Sequence, residues 1–282
     1  MKKWSMIIAF GLAALLTACG GGGGGGDSEG SSSSGGAHSS VAAAPKKAIA
    51  AAVMMLNSGF YEGVLGGLNS FTTQRSSSAR ELPPIVECPG GGTMAYEGDE
   101  GAGTLKISFD HCSMETETYN GEIDINGASG IGIGGTVIYT IRHLTVTSGD
   151  ETTFLDLTLK VSNSVGTSQT FDIEMTGKTE VTTSESVERA TYDHFHVVSS
   201  EGSTSIEGTV SLSTDPDACG VSGTYVFETL VPITYDRTGR ITGGKLKING
   251  DIYTFNADGT ISVNGQTYSY EEIQQQCSAD GM

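Results

Sequence analysis

The sequence predicts a mainly β protein: a large antiparallel meander sheet, curved into a sandwich or an open barrel, with one N-terminal helix. Three observations carry this. The chain holds 41 glycines in 282 residues, and only 17% of its residues are charged. That is the texture of many strands joined by tight turns. From Thr93 onward apolar and polar residues alternate with period two, which marks strands with one buried and one wet face. Asn-Gly pairs then punctuate the C-terminal part, and Asn-Gly is the strongest short hairpin signal because type I′ turns need positive φ at both central residues.

The chain begins with a different pattern. Lys2 and Lys3 give a positive start, Met6 to Leu16 is an apolar run interrupted only by Gly11, and Leu16-Thr17-Ala18 leads into Cys19. A charged start, a short apolar run and small residues before a cut describe a secretory signal. The run is shorter than the ~20 apolar residues a membrane-spanning helix needs.

Leu16-Thr17-Ala18-Cys19 resembles the bacterial lipobox. The resemblance implies cleavage before Cys19, a diacylglycerol on its sulfur and usually acylation of the new amino group. Several acyl chains hold a protein on a bilayer firmly, whereas one alone binds marginally. Gly20 follows the cysteine, and in the lipoprotein class this leans towards the outer membrane, with the folded part on its periplasmic face or at the cell surface. The expected division is 1–18 signal peptide, 19–44 lipidated tether and 45–282 a single β-rich domain with an N-terminal helix.

The expected tether opens with seven glycines from Gly20 to Gly26 and continues with Asp27, Ser28, Glu29 and further glycines and serines. Such a composition has nothing to bury and much backbone entropy to lose, so a flexible coil is expected. Roughly 20 such residues reach about 25 Å. His38 lies within this stretch and takes no role.

Charge excludes one class of partner. The chain has 15 Lys and Arg against 33 Asp and Glu, and loss of Lys2 and Lys3 leaves 13 against 33, a balance of −20. Such a surface repels phosphate backbones, so no nucleic-acid partner is expected. Solubility accounts for the acidity, and attraction of cations or basic partners is the functional alternative.

Cys88, Cys112, Cys219 and Cys277 remain once Cys19 is acylated. An even number in an oxidising compartment reads as two disulfides. Of three connectivities, Cys88–Cys112 with Cys219–Cys277 closes the shortest loops in total. A zinc site needs paired ligands at short spacing, and none of the four has a close partner.

Residues 45–58 predict a helix: Pro45 suits an early helical position, Ile49, Ala52, Val53 and Leu56 form one apolar stripe, and Asn57-Ser58-Gly59 is a stop signal. The helix is expected to pack on the β domain, with a lid over an apolar cavity as the alternative. Strands are expected at Leu105–Phe109, Ile123–Ile125 and Phe171–Met175. A four-stranded meander is expected from Lys245–Ile248, Asp251–Phe255, Thr260–Val263 and Gln266–Tyr270, with Asn249-Gly250 and Asn264-Gly265 at two of its turns. An internal repeat lies at an offset of 51 residues. Ile141–Thr147 resembles Tyr192–Val198, and Thr158–Ser162 matches Thr209–Ser213. A looser copy begins at Phe109-Asp110-His111 and continues at Tyr119–Ile123. Repeated hairpin units argue for a sheet grown by hairpin addition. In texture the mature chain resembles uncharacterised β-rich envelope lipoproteins with a Gly/Ser tether, an early cysteine pair and a closing meander, and this implies no activity.

The candidate chemistry is sparse. Gly130-Ile131-Gly132-Ile133-Gly134-Gly135 spells a dinucleotide-binding pattern, but a strand follows where a helix is required. There is no G-x-S-x-G and no H-E-x-x-H. His111, His143 and His194 occupy one place in the repeat. His194 and His196 share a strand face if alternation is regular, and with His143 from an adjacent hairpin they are the weak metal candidates. Asp193 is expected on the opposite face. The bland reading is repeated packing with imidazoles on a wet face. No catalytic residue and no cofactor is expected. The leading expectation is a non-enzymatic envelope lipoprotein that binds the bilayer through acylated Cys19 and meets another envelope protein. A carrier of a hydrophobic ligand in an open barrel is the alternative, and an envelope enzyme of unknown reaction is the third.

Overall fold

The computed structural model describes residues 43–56, 85–99, 102–114, 116–127, 135–164, 170–200, 202–217, 220–237 and 240–269. Within them are one helix, α1 (Ala43–Leu56), and fourteen strands: β1 (Ile85–Glu87), β2 (Thr93–Asp99), β3 (Thr104–Met114), β4 (Glu117–Asn126), β5 (Gly135–Ser148), β6 (Glu151–Ser164), β7 (Thr170–Thr182), β8 (Val187–Ser200), β9 (Ser203–Asp215), β10 (Gly223–Tyr235), β11 (Ile241–Ile248), β12 (Asp251–Phe255), β13 (Thr260–Val263) and β14 (Gln266–Ser269). All belong to one antiparallel sheet whose spatial order is the chain order, and the sheet does not close into a barrel.

This topology needs only local moves. Successive strands are antiparallel neighbours with two to eight residues between them, so the alternating sequence lays down one inner apolar face and one outer polar face. Along β3, Leu105, Ile107 and Phe109 are buried while Lys106 and Ser108 are not. The inner face from Cys88 to Tyr268 and the apolar side of α1 form one continuous core.

Helix α1 differs from its expectation in two ways. It begins at Ala43, two residues before Pro45, which still leaves Pro45 in the first turn, where a backbone N–H has no helical partner. It also buries more than a stripe. Ala48, Ile49, Ala50, Ala51 and Ala52 are consecutive and all buried, as are Met55 and Leu56. Five successive residues at 100° each go right round the helix, so α1 lies inside the core. Alanine makes this possible, because it presents an apolar surface without bulk. The stop signal at 57–59 lies outside the described residues. The Tyr235 hydroxyl donates to the Leu56 carbonyl at 3.3 Å, and the Lys47 side chain lies against Gly220. Helix α1 therefore meets the chain beside both ends of β10.

The internal repeat has a structural meaning. Its offset spans three strands, so β5–β6–β7 repeats as β8–β9–β10, and equivalent strands β5 and β8 run antiparallel to each other. A feature survives that reversal in line across the sheet only if it sits near mid-strand. His143 and His194 do, and so does His111 in β3. All three have left-handed backbones, with φ of 50°, 47° and 49°. At each, two residues oppose one on the next strand: Phe109 and Cys112 pair with Gly121 and Tyr119, Ile141 and Leu144 with Leu157 and Leu155, Asp193 and His196 with Thr209 and Glu207. These are β-bulges, which bend a strand and increase its twist. The extra residue explains why Phe109 and Cys112, three apart, both point inward, as do Ile141 and Leu144, and Tyr192 and Phe195.

Glycines on neighbouring strands complete the line. A Cβ on Gly121 would stand 2.6 Å from the His143 carbonyl oxygen, and one on Gly208 would stand 2.3 Å from that of His194. The left-handed histidine turns its carbonyl towards the next backbone, and only glycine leaves room for it. Bulges and glycines thus cross the sheet as one crease, the device by which long strands are made to curve.

Candidate functional site

Polar groups gather in two places, one on each face of the sheet. On the outer face the three bulges push Asp110-His111, Arg142-His143 and Asp193-His194 into solvent. His111 Nδ1 lies 2.7 Å from Asp110 Oδ1 and His194 Nδ1 lies 2.8 Å from Asp193 Oδ1. Asp193 is therefore on the same face as His194, contrary to the alternation read from sequence, because the bulge slips the phase by one residue. The His111 backbone N–H left over at its bulge donates to Asn120 Oδ1 at 2.8 Å.

His194 and His196 do share the outer face, but different carboxylates hold them: His196 Nε2 is 2.8 Å from Asp172 Oδ1 on β7. His143 is not on an adjacent hairpin. It lies on β5, three strands from β8, a separation of roughly 14 Å at ordinary strand spacing. Its ring meets Phe154 edge-on at 6.2 Å, and Lys178 sits 5.4 Å over that same Phe154 ring. Among the described residues no group of three His, Cys, Asp or Glu side chains converges to hold a metal ion. The three histidines occupy corresponding places for a backbone reason. His joins Asn and Asp as a residue enriched several-fold at positive φ. The nearby outer face is tied by cross-strand ion pairs, with Lys106 joined to Glu122 at 3.0 Å and Arg142 joined to Asp124. Glu122 holds the Lys106 ammonium above its ordinary value, its hydrogen bond outweighing desolvation.

The second set faces inward, at the end of the sheet where β3–β4, β5–β6 and β7–β8 reverse. Glu117 pairs across Ser148 to Glu151, and Val181 lies between Thr153 and Glu188. Glu117 is buried and accepts the Tyr119 hydroxyl. Burial, with the charge of Glu151 added, pushes the Glu188 carboxyl up to about 7. Glu151 is raised too, by burial and then by Asp150. Glu188 Oε2 and the hydroxyl of the buried Thr153 are without hydrogen-bond partners among the described residues. Nothing in the local sequence around these groups marks a site, although one signal is present: Glu188 falls in phase with Ala190 and Tyr192, both core residues. Deeper inside, burial also pushes the phenols of Tyr192, Tyr225 and Tyr253 up to about 12. They are neutral at every physiological pH and serve as packing groups with a hydrogen bond to give.

The sulfur chemistry is partly settled. Cys88 and Cys112 are joined, with Cα atoms 5.4 Å apart. The bridge pins the short edge strand β1 to the bulge in β3. Cys219 and Cys277 lie outside the described residues, as does Cys19. The described partners of the histidine ring nitrogens are carboxylates, and the inner set consists of carboxyls and hydroxyls that face the core.

No known family matches this chain. No curated protein matches it either. Function must therefore be argued from residues alone.

Proposed function

We propose that this chain is an outer-membrane lipoprotein, acylated at Cys19, whose β module binds another envelope component and catalyses no reaction. The observation that carries it is Leu16-Thr17-Ala18-Cys19 at the end of an apolar run behind Lys2 and Lys3. Two further features support it. The Cys88–Cys112 bridge suits an oxidising compartment outside the cytoplasm. Residues 48–52 of α1 are buried all round in the core, filling space that a carrier would need for its ligand, which favours contact through the surface over transport in a cavity.

Feeding an alkyne fatty acid to bacteria that express the full chain tests the anchor. The wild type should take up the label and yield a mature mass that begins at lipid-modified Cys19, while Cys19→Ser should stay unlabelled. An unlabelled wild-type chain, or one cut elsewhere, would remove the proposal.

A further inference from the structure

Strand β10 carries an irregularity unlike the histidine bulges. Against β9, Glu228 pairs with Glu207 and the next pair is Ile233 with Thr204, so five steps on β10 meet three on its neighbour. The surplus pushes Leu230, Val231 and Pro232 outward together, with Leu230 at 42% and Val231 at 46% exposure. The histidine bulges present Asp-His or Arg-His to solvent, whereas this one presents three apolar residues in a row. Such a run on a surface has no folding reason to exist. Val226 and Ile252 are exposed on the same face, with the Glu228–Lys247 ion pair standing between them and the bulge, so four of the six large hydrophobics exposed among the described residues lie on β10 and β12.

We propose that the Leu230-Val231-Pro232 bulge, with Lys245 beside it, is a shallow lipid-contact surface that lays this side of the module on the bilayer. The proposal rests on the lipid-anchor reading above. Size favours lipid over a protein partner. Three half-exposed apolar side chains fall well short of the ~800 Å² per side of a stable protein interface. A weak apolar contact suffices for a module already held within the ~25 Å reach of its tether, because the second contact is then intramolecular. Charge permits it as well. Around the bulge, exposed Glu207 and Glu228 are matched by Lys245 and Lys247, with Glu228 and Lys247 2.8 Å apart, so the surface is locally balanced in a chain of −18. Lys245, exposed beside Val231 in register, is a cation suited to a lipid phosphate.

The sole tryptophan, Trp4, precedes the expected cut, so one introduced tryptophan reports alone in the mature chain. Leu230→Trp in the acylated protein, reconstituted on phosphatidylethanolamine–phosphatidylglycerol vesicles, should lose at least half its fluorescence to lipids brominated in the acyl chains. Thr191→Trp, exposed on β8, should lose almost none. Adding Val231→Asp to the Leu230→Trp chain should abolish the quenching while leaving the melting temperature in place. The same two tryptophans are read in the Cys19→Ser chain at high vesicle concentration, which tests the patch even where acylation fails, and the mass of the wild type reports acylation separately. Quenching at 230 no stronger than at 191 in both proteins would overturn the lipid contact and leave the anchor standing.

Discussion

The creased central strands β3–β9 and the closing meander β11–β14 both rely on residues with positive φ, but for different physical reasons. In the meander, Asn249 and Asn264 have φ of 51° and 50°, and the glycines that follow have open space around them. Glycine is there for its backbone angle alone. In the crease, Gly121 and Gly208 stand against a neighbour's carbonyl, where any side chain collides with backbone. Glycine is there for its angle and for its missing volume. One residue type thus makes a local turn in one region and a sheet-wide bend in the other.

The largest effect should come from adding a methyl at the crease. Gly208→Ala should destabilise the fold by about 3 kcal/mol or more, because left-handed strain and a backbone collision add. Urea unfolding of the two chains measures it, and a loss near that of a turn glycine would dissolve the distinction between the regions. Next come the left-handed histidines. His143→Val should cost ~1–2 kcal/mol, since a β-branched residue resists positive φ, whereas His143→Asn should be nearly neutral. Equal losses for the two variants would point to the imidazole itself rather than to its backbone.

A smaller effect concerns the inner acids, which the meander lacks. Glu188 has its carboxyl raised from 4.5 to about 7, so the folded state holds a proton the unfolded state releases. Its cost is absent below pH 4.5, grows between 4.5 and 7, and is complete above 7. Glu188→Gln should therefore leave stability at pH 4 unchanged and raise it at pH 8 by about 1 kcal/mol, after allowance for solvent screening at a partly exposed group. Denaturant midpoints at the two pH values decide this, and a gain that does not grow with pH would remove the charge explanation. A comparable effect is expected at the meander turn, where Gly250→Ala should cost about 1 kcal/mol through φ alone, read from the same denaturant midpoints.

The same contrast explains what could be read from the sequence. The meander's turns and its middle strands β12 and β13 are legible to the residue, because Asn249-Gly250 and Asn264-Gly265 are local signals and short alternating strands sit between them, whereas β11 begins at Ile241, four residues before the expected Lys245, where Thr242-Gly243-Gly244 carries no alternation, and Tyr270 at the expected end of the last strand lies outside the described residues. The 51-residue repeat was legible as a repeat, and its histidines as equivalent positions. The bulge was not, because it depends on a register between strands that a single strand does not reveal. Alternation alone accordingly puts Asp193 on the wrong face and groups His143 with residues three strands away. A trace of the bulge was present in Phe109-Asp110-His111-Cys112, Ile141-Arg142-His143-Leu144 and Tyr192-Asp193-His194-Phe195, where two polar residues separate two apolar ones and break the alternation. The all-round burial of residues 48–52 of α1 is hidden for another reason. A stretch rich in alanine shows no sharp apolar stripe, and only its packing tells whether one face or every face is covered. Glu151 and Glu188 were missed because acidic residues are common in this chain and only their phase with the core marks them.

The central functional contrast is between a module with a filled core and a carrier with a loaded one. Native mass spectrometry of the Cys19→Ser mature chain, purified without detergent or extraction, separates them most directly. A bare polypeptide mass, reduced only by the hydrogens lost to disulfides, is the result expected of a core filled by α1. A reproducible extra mass that leaves on denaturation would contradict it and make the chain a carrier, with the added mass giving the class of its ligand.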